Sequence, residues 1–249
     1  QQFLNSKTYP LNFKVDSSAY TSFNFLGYEL DHITSEVTQL PRIKFRKDKP
    51  FKEEVKYYNT FKPSDSVTIP KAYIIPKQWV EVIELMKWNN ITYERFAEDT
   101  LVEVEQYRIE DYDTRRAPYE GHYLHSNTKI SSELIEKEFS QGDVWVSVKQ
   151  PGLRYLIETL EPTGVDSFFN WNFFDSILQQ KENFSPYVFE DLALEIFEDH
   201  PELKARFIEK QIEDSAFAKN WYAQLDWIHK HSSYYEEAHL AYPIVRVLE

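Results

Sequence analysis

The period of the hydrophobic pattern lengthens after Pro151, and that change limits what the chain can fold into. From Tyr9 to Pro70 apolar residues recur at every second position: Leu11, Phe13 and Val15, then Phe23 and Phe25, then Ile43 and Phe45. Period two with aromatic and β-branched side chains marks strands that turn one face to a core. After Pro151 the spacing lengthens to three and four. Val188, Leu192 and Ile196 form one helical stripe, and Phe217, Trp221, Leu225 and Ile228 form another. Strands first and helices last is the pattern of an α+β fold, with a β-rich, β-sandwich-like N-terminal portion and a helical C-terminal third.

Local signals subdivide the chain further. Asp-Ser-Ser at 16–18 and Pro-Ser-Asp-Ser at 63–66 supply turn chemistry within the first stretch. Lys71 to Asp111 reads as a small strand–helix–strand unit. Ala72-Tyr73-Ile74-Ile75 is its buried strand, and Trp79, Val82, Ile83 and Met86 fall on one helical stripe that Asn89-Asn90 stops. Leu101, Val102, Val104 and Tyr107 mark a long extended stretch with Glu103 and Glu105 on its other face. Ile130 to Phe139 and Val144-Trp145-Val146 are further strands about a Gln141-Gly142-Asp143 turn. Arg154 to Leu160 and Phe173 to Lys181 suit short helices. Ser185-Pro186 opens a helix with serine as N-cap and proline in the first turn, and Pro201 opens a charged one. The expected division is a strand-rich lead-in (1–70), an α/β unit with a β-sandwich-like region (71–165), and a helical region packed on it (166–249).

Composition excludes several classes. Hydrophobic residues make up 42% and aromatics 16%, enough to build a core and too much for a disordered chain. A net charge of -13 repels a phosphate backbone, so nucleic acid is not an expected partner. The basic stretch from Arg42 to Lys49 alternates charged with apolar residues and reads as a solvated strand face. The absence of cysteine rules out disulfides and thiolate metal sites. No apolar run approaches the ~20 residues of a membrane helix, so no membrane span is expected. Gln1 to Pro10 lacks the charged and apolar regions of a signal peptide. The chain opens Gln1-Gln2-Phe3 and its sole methionine is Met86, so it is expected to be a processed or excised piece of something longer.

Catalytic signatures are sparse. A catalytic zinc needs protein ligands at close spacing and an open position for water. Of the seven histidines, only His122-x-x-His125 and His229-Lys-His231 are close pairs, and neither belongs to a His-x-x-Glu or His-Glu-x-x-His motif. The sequence has no Gly-x-Ser-x-Gly elbow and no glycine-rich phosphate loop. No catalytic residue, metal ligand or cofactor site is therefore assigned. Two segments nevertheless concentrate chemistry. Tyr119-Glu120-Gly121-His122-Tyr123 carries an acid, an imidazole and two phenols. Gln150 to Pro162, continuing into Asp166 to Asp175, places Arg154 and Glu158 one helical turn apart and gathers aromatics around Trp171. Tyr119, Glu120, His122, Arg154, Glu158 and Trp171 are the candidate binding or interface residues. The plainer expectation is an ion pair fastening a helix to the sheet, and an aromatic cluster in a core or interface.

These same strings carry a resemblance. YEGHY at 119–123, QPGLRYLIETLEP at 150–162, DSFFNWNFFDSILQQKE at 166–182, YVFEDLALEI at 187–196 and YYEEAHLAYPIVR at 234–246 are similar to the C-terminal part of bacterial zinc carboxypeptidase-like proteins of the carboxypeptidase A superfamily. KAYIIPKQWVEVIELMKWNNI at 71–91 and, more weakly, SEVTQLPR at 35–42 extend the likeness. The resemblance implies a parent protein that releases C-terminal residues from peptides. Its zinc would be held by a His-x-x-Glu pair and a later histidine in an N-terminal catalytic domain, with a further glutamate as general base. This chain would then be a non-catalytic accessory region, its partner the peptidase domain of the same parent, and its home periplasmic or secreted. From a different class, a free-standing glycan- or peptide-binding module would also suit the aromatic abundance. Trp171 or Trp145 exposed beside polar side chains would fit that module, and buried tryptophans would fit the accessory region. An independent hydrolase built on an unrecognised carboxylate pair is the third reading.

Overall fold

The computed structural model describes residues 6–248; residues 1–5, with the opening Gln1-Gln2-Phe3, and residue 249 lie outside the described residues. The chain divides into two units, residues 6–68 and residues 69–248. The fold class is α+β, with strands dominating the N-terminal portion and helices the C-terminal part.

The first unit consists of two antiparallel pairs. Strand β1 (Thr8–Val15) pairs with β4 (Phe61–Thr68), and β2 (Thr21–Thr34) pairs with β3 (Pro41–Tyr57). Asp16 makes the turn that follows β1: its carboxylate accepts from the Ser18 N–H at 3.1 Å and the Ser18 hydroxyl at 2.7 Å. The second expected turn, Pro63 to Ser66, lies inside β4 instead. Register shifts on either side of Asn12 absorb those residues as bulges, where a proline without an N–H is tolerated. Phe23 and Phe25 sit in a regular strand, yet each is 46% exposed, so their face has no covering layer within this unit. Arg42 to Lys49 lies on β3 as expected of a solvated strand, with Arg46 bridging Asp31 at 3.0 Å and Asp48 at 2.8 Å.

The second unit is built on a six-stranded antiparallel sheet. In chain order its elements are β5 (Ala72–Ile75), α1 (Val80–Trp88), β6 (Glu94–Arg95), β7 (Thr100–Thr114), β8 (His125–Phe139), β9 (Val144–Ser147) and α2 (Leu153–Leu160). There follow α3 (Pro186–Asp199), α4 (Pro201–Glu213), α5 (Trp221–Lys230) and β10 (Val245–Val247). The strand order is β6-β9-β5-β10-β7-β8, so the last strand of the chain is slotted between β5 and β7. All four residues of β5 and all three of β10 are buried, which explains why Ala72 to Ile75 reads as a continuous apolar run. Ala72, Ile74, Val104, Phe139, Val245 and Val247 form one core cluster on the sheet. A second cluster, including Phe189, Ile196, Leu203, Phe207, Leu225 and Ile228, joins α3, α4 and α5.

The helices begin and end for legible reasons. Val82, Ile83 and Met86 are buried on α1, and Asn90 ends it in the left-handed region at φ 57°. Ser185 and Pro186 open α3. The helix expected over Phe173 to Lys181 shrinks to a 3-10 turn at Asp175–Leu178, because Asn172 has φ 66° before it and Gln179 is extended after it. Phe217 lies in a separate 3-10 turn, because Asn220 restarts the helix by accepting the Ala223 N–H at 3.0 Å. Among the described residues no helix is long and apolar enough to cross a membrane.

Candidate functional site

The β7–β8 hairpin carries the first candidate segment. Its tip closes on Tyr119 and His122, whose backbones exchange N–H···O bonds of 2.8 and 2.9 Å. The two residues between them, Glu120 at φ 49° and Gly121 at φ 86°, are both left-handed, the conformation that two-residue hairpin turns of matching twist require. Glu120 is thus an exposed turn residue. Tyr119 and His122 both lie against Trp171, at ring-centroid distances of 6.3 and 5.4 Å, and His122 stacks on Phe173 at 6.3 Å. Arg115 sits 5.5 Å from the Tyr119 ring on this cluster.

Beneath the tip, His125 joins the hairpin to the loop that carries Trp171. Its side chain is 3% exposed. Nδ1 lies 2.9 Å from the Thr114 hydroxyl, and Nε2 lies 3.1 Å from the Asp175 carboxylate and 3.1 Å from the Asn172 amide. Asn172 also donates to the Tyr123 carbonyl at 2.9 Å, and the His125 N–H donates to the Asn170 carbonyl at 2.9 Å. The imidazole packs against Tyr112 at 4.8 Å and Phe169 at 5.0 Å. Hydroxyl, imidazole and carboxylate in series is the arrangement of a nucleophile with its base. Here both ring nitrogens are engaged and the ring is shut between aromatic side chains, so the series ties two loops together without offering a base to a substrate.

The second segment is occupied by structure as well. Gln150 takes the Thr92 N–H at 2.9 Å and donates to the Ser147 carbonyl at 2.7 Å. Gly152 is required by close approach, since a Cβ there would stand 2.1 Å from Ile91 Cδ1. Glu161 is fully buried, with Tyr73 donating to its carboxylate at 2.6 Å and Arg246 Nε at 3.3 Å. Arg246 also pairs with Glu105 at 2.9 Å and bonds the Tyr107 hydroxyl, while Tyr242 donates to the Leu160 carbonyl at 2.8 Å. Burial raises the pKa of Glu161, with Arg246, Tyr73 and Tyr107 pulling the other way. Burial also lifts the Tyr73 phenol well above its usual range, and the nearby Glu161 adds to the effect.

The structure therefore brings Tyr119, His122 and Trp171 together, sets Glu120 in the turn beside them, and places Arg154 and Glu158 on α2. Those two form the i,i+4 pair at 3.0 Å, with Arg154 80% exposed, so the pair lies on the solvent side of the helix rather than against the sheet. Trp171 and Trp145 are both half-buried. The Tyr119 and His122 planes are inclined 55° and 77° to Trp171, an edge-to-face cluster rather than a coplanar platform. Asp175 and Thr114 carried no signal at the sequence level, because only the fold brings them to His125. Arg246 and Glu161 could have been sought as a charged residue inside a β-run and the last acid of an apolar helix.

The described residues do not fit a zinc site. His122 is stacked in the aromatic cluster, His125 is engaged on both nitrogens, and no group of three His, Cys, Asp or Glu side chains among the described residues could hold a metal ion. His229 packs against Phe184 and Phe189, and His231 bonds the Trp227 carbonyl at 2.7 Å. No family model, curated protein or solved structure matches the chain.

Proposed function

We propose that this chain is a non-catalytic accessory region of a zinc carboxypeptidase-like protein, packing beside the peptidase domain of the same parent and shaping or stabilising it. One observation carries the reading: the strings at 150–162, 166–182 and 234–246 that resemble that family are largely occupied in holding the second unit together. Glu161, Arg246, Asn170, Phe169, Phe174 and Tyr242 are buried, and the polar ones among them are hydrogen-bonded or ion-paired within the unit. Side chains so committed support a structural role, since buried polar groups are held by hydrogen bonds within the fold. On this reading zinc and the release of C-terminal residues belong to the peptidase domain, and the parent acts in the periplasm or outside the cell.

The test is elemental analysis of the purified chain together with a C-terminal residue-release assay, followed by titration against a zinc carboxypeptidase domain of that superfamily. Metal-free, inactive protein that binds the peptidase domain is the expected result. One zinc per chain with release of C-terminal residues would overturn the proposal, as would failure to bind the domain.

A further inference from the structure

The β2–β3 ribbon has a sided sequence. Its register sets Thr21 opposite Tyr57, Phe23 opposite Val55, Phe25 opposite Glu53 and Gly27 opposite Phe51. Residues of one parity share a face, so Phe23, Phe25, Phe51, Val55 and Tyr57 lie together. The opposite face carries Ser22, Asn24, Lys52, Glu54 and Lys56 along with Leu26. Within the apolar stripe Phe23 meets Tyr57 at 5.5 Å and Phe25 meets Phe51 at 6.1 Å. Gly27 is glycine because the Phe51 ring covers it: a Cβ there would fall 2.6 Å from Phe51 Cζ. Past that point the register shifts between Tyr28 and Leu30, and an open concavity of about 680 Å³ joins Phe25, Gly27 and Phe51 of the stripe to Tyr28, Glu29, Leu30 and Phe45.

This stripe is half in water. Phe23 and Phe25 are each 46% exposed, Leu30 47%, Tyr57 55% and Phe45 63%. At roughly 200 Å² for a large side chain, those five alone leave about 500 Å² of apolar surface, near the upper end of what a monomer exposes. A two-stranded ribbon is at best marginal in water without a layer against its apolar face.

We propose that a second copy of the chain supplies that layer, stripe against stripe about a two-fold axis. Three observations favour this occupant. The exposed stripe, with the partly covered Phe51 and Val55 and the flanking side chains, approaches the ~800 Å² per partner of a standard stable interface. Two such ribbons face to face form a two-layer sandwich about 10 Å thick, the least structure that gives each ribbon a core. Charge also favours this part of the chain. Residues 6–68 hold ten Lys and Arg against eight Asp and Glu, whereas the whole chain holds 28 against 41. The ribbon is thus where two copies of an acidic chain can meet without strong mutual repulsion.

Sedimentation velocity on the purified chain, from about 1 to 100 μM, tests this. A concentration-dependent dimer is expected. Phe25→Ser should weaken it about tenfold or more, and Tyr57→Lys, which puts a new positive charge into the apolar stripe of both copies, should do the same. Leu26→Ser, on the opposite face and 72% exposed in the single chain, should leave it unchanged. A chain that is monomeric throughout this range would overturn the proposal, and so would a dimer indifferent to both stripe variants or as sensitive to Leu26→Ser. Tyr57 is 55% exposed, so Tyr57→Lys replaces one exposed strand residue by another and reports even where Phe25→Ser prevents folding.

Discussion

Tyr73, in the central strand β5, donates a 2.6 Å hydrogen bond to Glu161 at the end of α2, joining the first strand of the second unit to its second helix. The carboxylate is fully buried and shares Arg246 with Glu105. Removing one partner of a buried charged group leaves it unsatisfied, so Tyr73→Phe should cost about 1–3 kcal/mol in urea unfolding. Arg246→Met strands two carboxylates and should cost about 3–5 kcal/mol. Burial holds the Glu161 pKa above its ordinary value. Its contribution to stability is therefore fully present below that ordinary value and is lost as pH rises through the raised one. Glu161→Gln cannot ionise, so wild type should lose stability relative to this variant as pH rises above the ordinary carboxylate range. Parallel pH profiles would contradict the assignment.

His125 holds the hairpin tip through Thr114 on one side and Asp175 on the other. Thr114→Val removes one anchor at nearly unchanged volume, and Asp175→Ala removes the other at a side chain that is 52% exposed, so the sheet should survive while the tip opens more often. Hydrogen exchange at the Tyr119 and His122 amides, which close the turn, should quicken about tenfold in either variant, with β5 and β10 amides unaffected. A uniform change across the unit would mean that His125 supports the fold as a whole.

Much of this architecture can be read from the sequence, and what cannot has a common cause. Val82, Ile83 and Met86 announce α1 and its buried face because spacing and burial coincide there. Ser185-Pro186 and Asn89-Asn90 mark helix ends through local chemistry. The cluster of Tyr119, His122 and Trp171 could be suspected from composition, but not its depth, because His125 meets Asp175 across 50 residues. Phe173 to Lys181 shows the limit from the other side. Its apolar spacing suits a helix, yet the buried contacts of Phe174 and Ile177 hold it as a compact turn. The Phe23 and Phe25 alternation was legible as a strand, while the absence of a layer over it within its own unit was not.

His229 gives the second unit a specific acid sensitivity. It is 3% exposed and packed against Phe184, Phe189 and Tyr235. Burial lowers its pKa, with the Tyr234 backbone pulling the other way. A group whose folded pKa is depressed contributes stability above its ordinary value, about 6.5 for histidine, and that stability is lost as pH falls through the folded value. Melting temperature should therefore fall from pH 7 toward pH 5. His229→Gln, which has no proton to gain, should flatten that slope while lowering the melting temperature at neutral pH. Equal slopes for the two proteins would place the acid sensitivity elsewhere.

Gly152 and Ile91 offer the sharpest test of whether the second conspicuous segment is structural. The Cβ that Gly152→Ala introduces would collide with Ile91 Cδ1, the nearest other atom of that side chain being 3.6 Å away. Overpacking of this kind costs about 1–3 kcal/mol. Ile91→Val removes that same terminal methyl group, and alone it should cost about 0.5–1.5 kcal/mol for the space it leaves. In the double variant each change relieves the other: the new methyl occupies the vacated volume. The two costs should therefore fail to add, with a favourable coupling of about 1 kcal/mol or more in a double-mutant cycle. Additive costs would mean that Gly152 is needed for its backbone alone, and that the PG step at the start of α2 is not set by its packing on Ile91.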